Sequence, residues 1–290
     1  MLAGSLVALL TPFRKDEVDE DAIRHMVQWH IEQGTHGIVP VGTTGESATL
    51  TEKEHLRVIE LVVEEAAGRI PIVAGAGSNN TREAIFYSNS AQELGADAAL
   101  HVAGYYNRPS QEGLFRHFEA VHAASTIPII LYNIPPRAVV DILPETMARI
   151  AALPRVIGVK DATGDLTRPI RERLLIKDEF SFLSGEDGTA VSYNVAGGNG
   201  CISVTANVAP ALCSEMQAAC MQRDYAIAAR IQERLMPLHM ALFAEPSPAG
   251  VKYAASLLEL CDEFCRLPIV SLSSSSKSAI RDAMANLELI

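Results

Sequence analysis

Short runs of Val, Ile, Leu and Ala recur along the chain, separated by longer stretches whose apolar residues fall at helical spacing. The runs predict eight strands: Ser5–Leu10, Gly37–Val41, Ile70–Ala74, Ala98–Val102, Ile127–Tyr132, Val156–Lys160, Phe180–Ser184 and Cys201–Val204. Amphipathic spacing predicts helices over Glu20–Glu32, Glu52–Ala67, Thr81–Leu94, Gln111–Ala124 and Pro144–Ala151. Start signals agree with these bounds. Asp19 precedes the first helix, Thr51 stands three residues before Glu54, and Pro144 opens another. Regular strand–helix alternation implies a parallel sheet joined by right-handed crossovers. The expected fold is an α/β, (β/α)8 TIM barrel. A doubly wound open sheet usually carries a Gly-rich phosphate loop after its first strand. Here that place is taken by Thr11-Pro12-Phe13-Arg14, which is unsuited to the task.

The eighth strand candidate leaves some eighty residues, with helical patterns over Pro210–Met221, Asp224–Phe243, Ser247–Leu260 and Ser278–Leu287. A catalytic barrel over residues 1–223 is therefore expected, with a C-terminal helical extension, residues 224–290, packed on it. Ser271–Ser276 reads as a short polar loop. In 290 residues there is no composition shift and no Gly/Ser-rich linker to mark a second domain.

The net charge of −11 argues against nucleic acid or an anionic membrane as partner, so cations for an anionic substrate would have to be concentrated locally. No apolar run reaches membrane-spanning length. Five cysteines, an odd set without a Cys-x-x-Cys pair, fit reduced thiols and a cytoplasmic location.

In parallel barrels the chemistry gathers beyond the carboxyl ends of the strands, which makes position a filter. Lys160 closes the apolar run from Val156. Desolvation at such a place disfavours an ammonium, and a free amine there can condense with a ketone to an imine. A lysine that snorkels to solvent or pairs with Asp161 is the plainer alternative. Gly42-Thr43-Thr44-Gly45-Glu46-Ser47, after the second strand, offers hydroxyls and backbone N–H groups to a small carboxylate, or is an ordinary helix-entry turn. Tyr105-Tyr106-Asn107-Arg108-Pro109 follows the fourth strand and Tyr132-Asn133-Ile134-Pro135-Pro136-Arg137 ends the fifth. Such tyrosines relay protons or simply fill space. Their convergence with Lys160 on one rim favours function.

Other patterns carry less. Gly75-Ala76-Gly77-Ser78-Asn79 lacks the further glycine and acidic residue of a dinucleotide loop, and reads as a helix entry capped by Asn80 or Thr81. Glu186 and Asp187 have no histidine nearby in sequence, so they read as a solvated rim and no metal site is expected.

These motifs, with Gly158-Val159-Lys160-Asp161-Ala162-Thr163-Gly164 and Ile202-Ser203-Val204-Thr205-Ala206-Asn207, resemble the dihydrodipicolinate synthase and N-acetylneuraminate lyase family of Schiff-base aldolases. The resemblance spans nearly the whole chain. It implies a lyase in which Lys160 forms the imine with pyruvate and Tyr132 is the central acid/base, linked to Thr43 and to a Tyr106 donated by a neighbouring subunit. Thr43 and Thr44 would hold the pyruvate carboxylate, with Gly185 and the Ile202 carbonyl lining the pocket. Arg137 resembles the synthase branch, where it binds the carboxylate of L-aspartate 4-semialdehyde on the way to diaminopimelate and lysine. No cofactor is implied, and a homotetramer built as a dimer of dimers is. An allosteric lysine site would match Ser47, Ala48, His55, Asn79, Glu83 and Tyr105. Two positions depart from the pattern: Gly104 replaces a common Pro, and Glu52 stands where some inhibited relatives carry His. The alternatives are a related pyruvate-dependent aldolase or dehydratase acting on a keto-deoxy sugar acid or another 2-keto acid, and a non-catalytic keto-acid-binding protein.

Overall fold

A computed structural model describes residues 1–176 and 179–290. Eight strands make one parallel sheet: β1 (Gly4–Ala8), β2 (Gly37–Val39), β3 (Val73–Gly75), β4 (Ala98–Val102), β5 (Ile129–Asn133), β6 (Val156–Asp161), β7 (Ser181–Ser184) and β8 (Gly200–Ser203). Their order is β2-β1-β8-β7-β6-β5-β4-β3, and a parallel bridge between Ile38 and Ile72 joins the two ends into a barrel. The expected architecture is therefore present, with shifted strand ends. β3 starts later than its apolar run because Pro71 has no N–H for the ladder. β6 runs one residue past Lys160, since Asp161 still pairs with Asn133 and Ser184.

Local chemistry sets the helix ends. Asp19 accepts from Ala22 N–H at 3.1 Å, and Thr51 and Glu54 complete a reciprocal capping box. Asn80 caps the helix Thr81–Glu93. Gly34 takes φ +77° after the helix Glu20–Glu32, the left-handed turn that ends helices cheaply at glycine.

Three features differ from the sequence reading. The serine cluster is not all loop: Ser273 caps a helix, Ser274–Asn286, that buries Ile280, Ala283 and Met284. Short helices Arg168–Leu175 and Ala190–Val195 fill two crossovers, too brief to show a clear period. After β1, Phe13–Arg14 pairs with Glu17–Val18 in a hairpin whose turn, Lys15 and Asp16, is left-handed without any glycine. Of two apolar clusters among the described residues, the larger runs from barrel residues such as Leu6 and Ile202 to Leu235, Leu242, Val251 and Ile280 of the later helices, and the second packs Leu131, Val159 and Phe182 against Leu114 and Phe118.

Candidate active site

Lys160 is buried, 6% exposed, although it carries an amine. Pairing places it beside Tyr132 on β5 and Leu183 on β7, with Nζ 4.4 Å from the Tyr132 ring centroid. Among the described residues it has no ion pair. The alternative pairing with Asp161 is not observed, and the period of a strand explains why: successive side chains point to opposite faces. Asp161 Oδ1 instead accepts from Thr163 N–H at 2.8 Å. Burial pushes its carboxyl up from the ordinary range, against the lowering effect of that hydrogen bond.

Gly185 makes room for the lysine. A Cβ there would stand 3.2 Å from Lys160 Cε and 3.1 Å from the Asp161 carbonyl. Ile202, wholly buried on β8, pairs with Leu6 and lies one strand beyond β7. Asp187 corrects the expected solvated rim. It is 4% exposed and accepts from Ser203 Oγ, from Val204 N–H at 2.9 Å and from Thr205 N–H at 3.1 Å, tying the β7 loop to the end of β8. Position at a strand end was its only signal in the sequence.

The Gly42–Ser47 turn follows β2. Thr44 is buried and Thr43 exposed, and Thr11 Oγ1 donates to the Gly45 carbonyl at 2.7 Å. Thr43 and Arg137 line a cleft of about 600 Å³ that also takes in Ser47, Ala48, His55, Glu83 and Tyr105. Five of the six residues expected for a lysine site thus share the cleft with two expected substrate-binding residues. Asn79 stands at its edge, with Nδ2 donating to the Tyr105 carbonyl at 3.2 Å. The cleft adjoins the lysine through the sheet: Val102 on its wall pairs with Tyr132, which pairs with Lys160.

Charge in the cleft is uneven. Arg137 is exposed on the short helix Pro135–Ala138 and has no ion pair among the described residues. His55 is held below its ordinary range by burial, against the opposing effects of its hydrogen bond to the Gly75 carbonyl and of Glu83. Its ring stacks on Tyr87 at 4.3 Å. Tyr106 is the outlier, 89% exposed and left-handed at φ +67°, standing in solvent rather than reaching Tyr132 within the chain. Among the described residues the Tyr132 hydroxyl has no hydrogen-bond partner. The arrangement sets a buried amine beside a phenol, next to a cleft that bears a free guanidinium and a hydroxyl-lined turn. Those are the parts for imine chemistry on an anionic keto acid.

The Dihydrodipicolinate synthetase family model matches residues 1–287. The 4-hydroxy-tetrahydrodipicolinate synthase of Roseobacter denitrificans is 58% identical over 280 residues, 97% of this chain and 96% of that one. The enzyme of the same description from Parvibaculum lavamentivorans is 58% identical over the full length of both chains. Among solved structures, the chloride-inhibited dihydrodipicolinate synthase from Acinetobacter baumannii complexed with pyruvate superimposes with a TM-score of 0.98 at 43% identity, again over the whole of both chains.

Proposed function

The chain belongs to the dihydrodipicolinate synthetase family and is an enzyme, and from that premise we propose how its site performs the 4-hydroxy-tetrahydrodipicolinate synthase reaction. The substrates are pyruvate and L-aspartate 4-semialdehyde. The observation that carries the reading is the buried Lys160 amine beside Tyr132, with no carboxylate paired to it among the described residues.

The Lys160 nitrogen attacks the pyruvate ketone and water leaves, giving a protonated imine. Thr43 and Thr44 hold the carboxylate. The imine nitrogen draws electrons, so a methyl proton departs and an enamine forms. The enamine carbon attacks the aldehyde carbon of the semialdehyde, whose carboxylate is gripped by the planar fork of Arg137. Tyr132 moves protons at the imine and at the new alkoxide. The amino group of the condensed product then attacks the imine carbon, closing the ring and freeing Lys160. The net reaction releases one water.

The 89% exposure of a left-handed Tyr106 supports its donation to a neighbouring subunit, which requires at least a dimer; a homotetramer arranged as a dimer of dimers is what the family resemblance implies. Five free cysteines, three of them buried, fit a cytoplasmic setting, and among the described residues no helix is long and apolar enough to cross a membrane. Borohydride reduction in the presence of pyruvate tests the covalent step, with added mass expected on the peptide bearing Lys160. A coupled assay comparing the semialdehyde with sugar-derived aldehydes tests the second substrate. Unmodified protein, or a preference for sugar aldehydes, would overturn the reading.

A further inference from the structure

Glu46 lies two residues beyond Thr44 and combines two costly features. Its backbone is left-handed at φ +55°, a region that favours glycine, and its carboxylate is withdrawn from solvent. Against Oε1 stands the ammonium of Lys252, a side chain with no exposed surface, in the middle of the helix Ala249–Leu257. The same ammonium donates to the Phe264 carbonyl at 2.9 Å and lies 4.0 Å over the Phe13 ring. The other carboxylate oxygen accepts from the backbone N–H of Arg266 at 3.0 Å, 220 positions away along the chain. The Arg266 guanidinium then donates to the Thr49 carbonyl at 2.9 Å, so the residues that follow the barrel grip the Thr43–Thr44 turn and its continuation at two points.

A buried ion pair is a poor device for stability, because desolvation of both charges offsets their attraction and an apolar pair of like volume serves as well. A left-handed glutamate adds strain. Both costs fall on one residue of the turn that carries the hydroxyls, and they are understandable if the pair fixes direction instead of adding stability. We infer that Lys252 is a positioning residue: through Glu46 it holds the Thr43–Thr44 turn in the geometry that receives the keto-acid carboxylate, so the helices after the barrel form part of the active-site machinery. The inference rests on the proposed role of that turn in holding pyruvate.

The test compares wild type, Lys252→Met, Glu46→Gln and a control, Arg24→Met, which removes ion pairs to Glu64 and Glu65 at the end of the helix Glu52–Ala66 farthest from the turn. The readouts are the pyruvate concentration that half-saturates borohydride trapping, the steady-state KM for each substrate, and kcat. Misplacing a binding group slightly costs up to about 100-fold, so half-saturation is expected to rise about tenfold in both test variants. Trapping at saturating pyruvate and the semialdehyde KM should hold, and Arg24→Met should behave as wild type. If Lys252→Met does not fold, Glu46→Gln decides alone, since it keeps the side-chain shape and an acceptor for Arg266 N–H. A trapped wild type whose folded variants keep its pyruvate dependence overturns this inference alone. An untrapped wild type overturns the imine chemistry and this inference with it.

Discussion

The wall of the barrel and the loops above it treat their functional residues in opposite ways. Lys160 and Tyr132 sit on neighbouring strands, both buried, with their separation set by sheet register. Thr43, Arg137 and Tyr106 sit on turns and a short helix and are exposed, and the turn around Thr43 and the Tyr106 loop contain left-handed non-glycine residues. On the proposed reading the covalent step falls to residues held in the sheet, while carboxylate binding and the proton link through Thr43 and Tyr106 fall to residues carried on turns and loops. A loop residue can drift without loss of the fold, whereas a strand residue cannot move without breaking a ladder.

The sharpest way to break that contrast is Tyr132→Phe. Removing a positioned acid/base costs roughly 10² to 10⁴-fold in rate, so kcat should fall by that amount with pyruvate binding little changed. A loss confined to KM would place Tyr132 among the recognition residues and dissolve the comparison. Arg137→Ala should act on the recognition side, lowering kcat/KM for the semialdehyde by about 10 to 100-fold through the lost charge-assisted contact, while borohydride trapping with pyruvate persists. Equal damage to trapping would mean that the loop also shapes the covalent step.

The smallest effect concerns the anchor of the loops. Arg266 holds the Glu54 carboxyl down to about 2 by hydrogen bonding, from an ordinary value of 4.5. A depressed carboxylate contributes stability that is present above its unfolded value and is lost as pH falls through its folded one. Because the pair is partly exposed, its contribution is about 1 kcal/mol or less. Glu54→Gln should therefore melt slightly lower than wild type at neutral pH, with the gap closing as pH falls from about 4.5 towards 2. A gap that stays constant or widens in acid would show that ionised Glu54 is not what Arg266 stabilises.

Legibility in the sequence followed the range of the interactions. The helix Glu20–Glu32 was readable to the residue, since its cap and its apolar stripe are local. Arg168–Leu175 was not, being two turns long with charged residues on its buried side, among them Arg168 and Glu172. Burial lifts the Glu172 carboxyl to about 7 although Arg168 lies against it. Lys160 was legible because it closes a Val/Ile run, at the strand end where the chemistry of a parallel barrel gathers. Lys252 interrupts the small and apolar stretch Ala249–Ala255 from within, yet its partner gave no sign. Asp187 was misread because an acid after a glycine turn looks solvated until its acceptors' donors are folded around it.

Hydrophobic period, caps and strand-end chemistry by themselves determined the β/α alternation and the strand-end places of Lys160, Tyr132 and Thr43, because each depends on residues a few positions apart; the alternation in turn implied a barrel, whose closure pairs β1 with β8. Only the tertiary structure decided that Lys160 is free of Asp161, that Asp187 is buried, and that Glu46 meets Lys252 and Arg266. Those contacts join residues on separate elements or on opposite faces of one strand. Their energies exist only once the chain path has brought the partners together and excluded water.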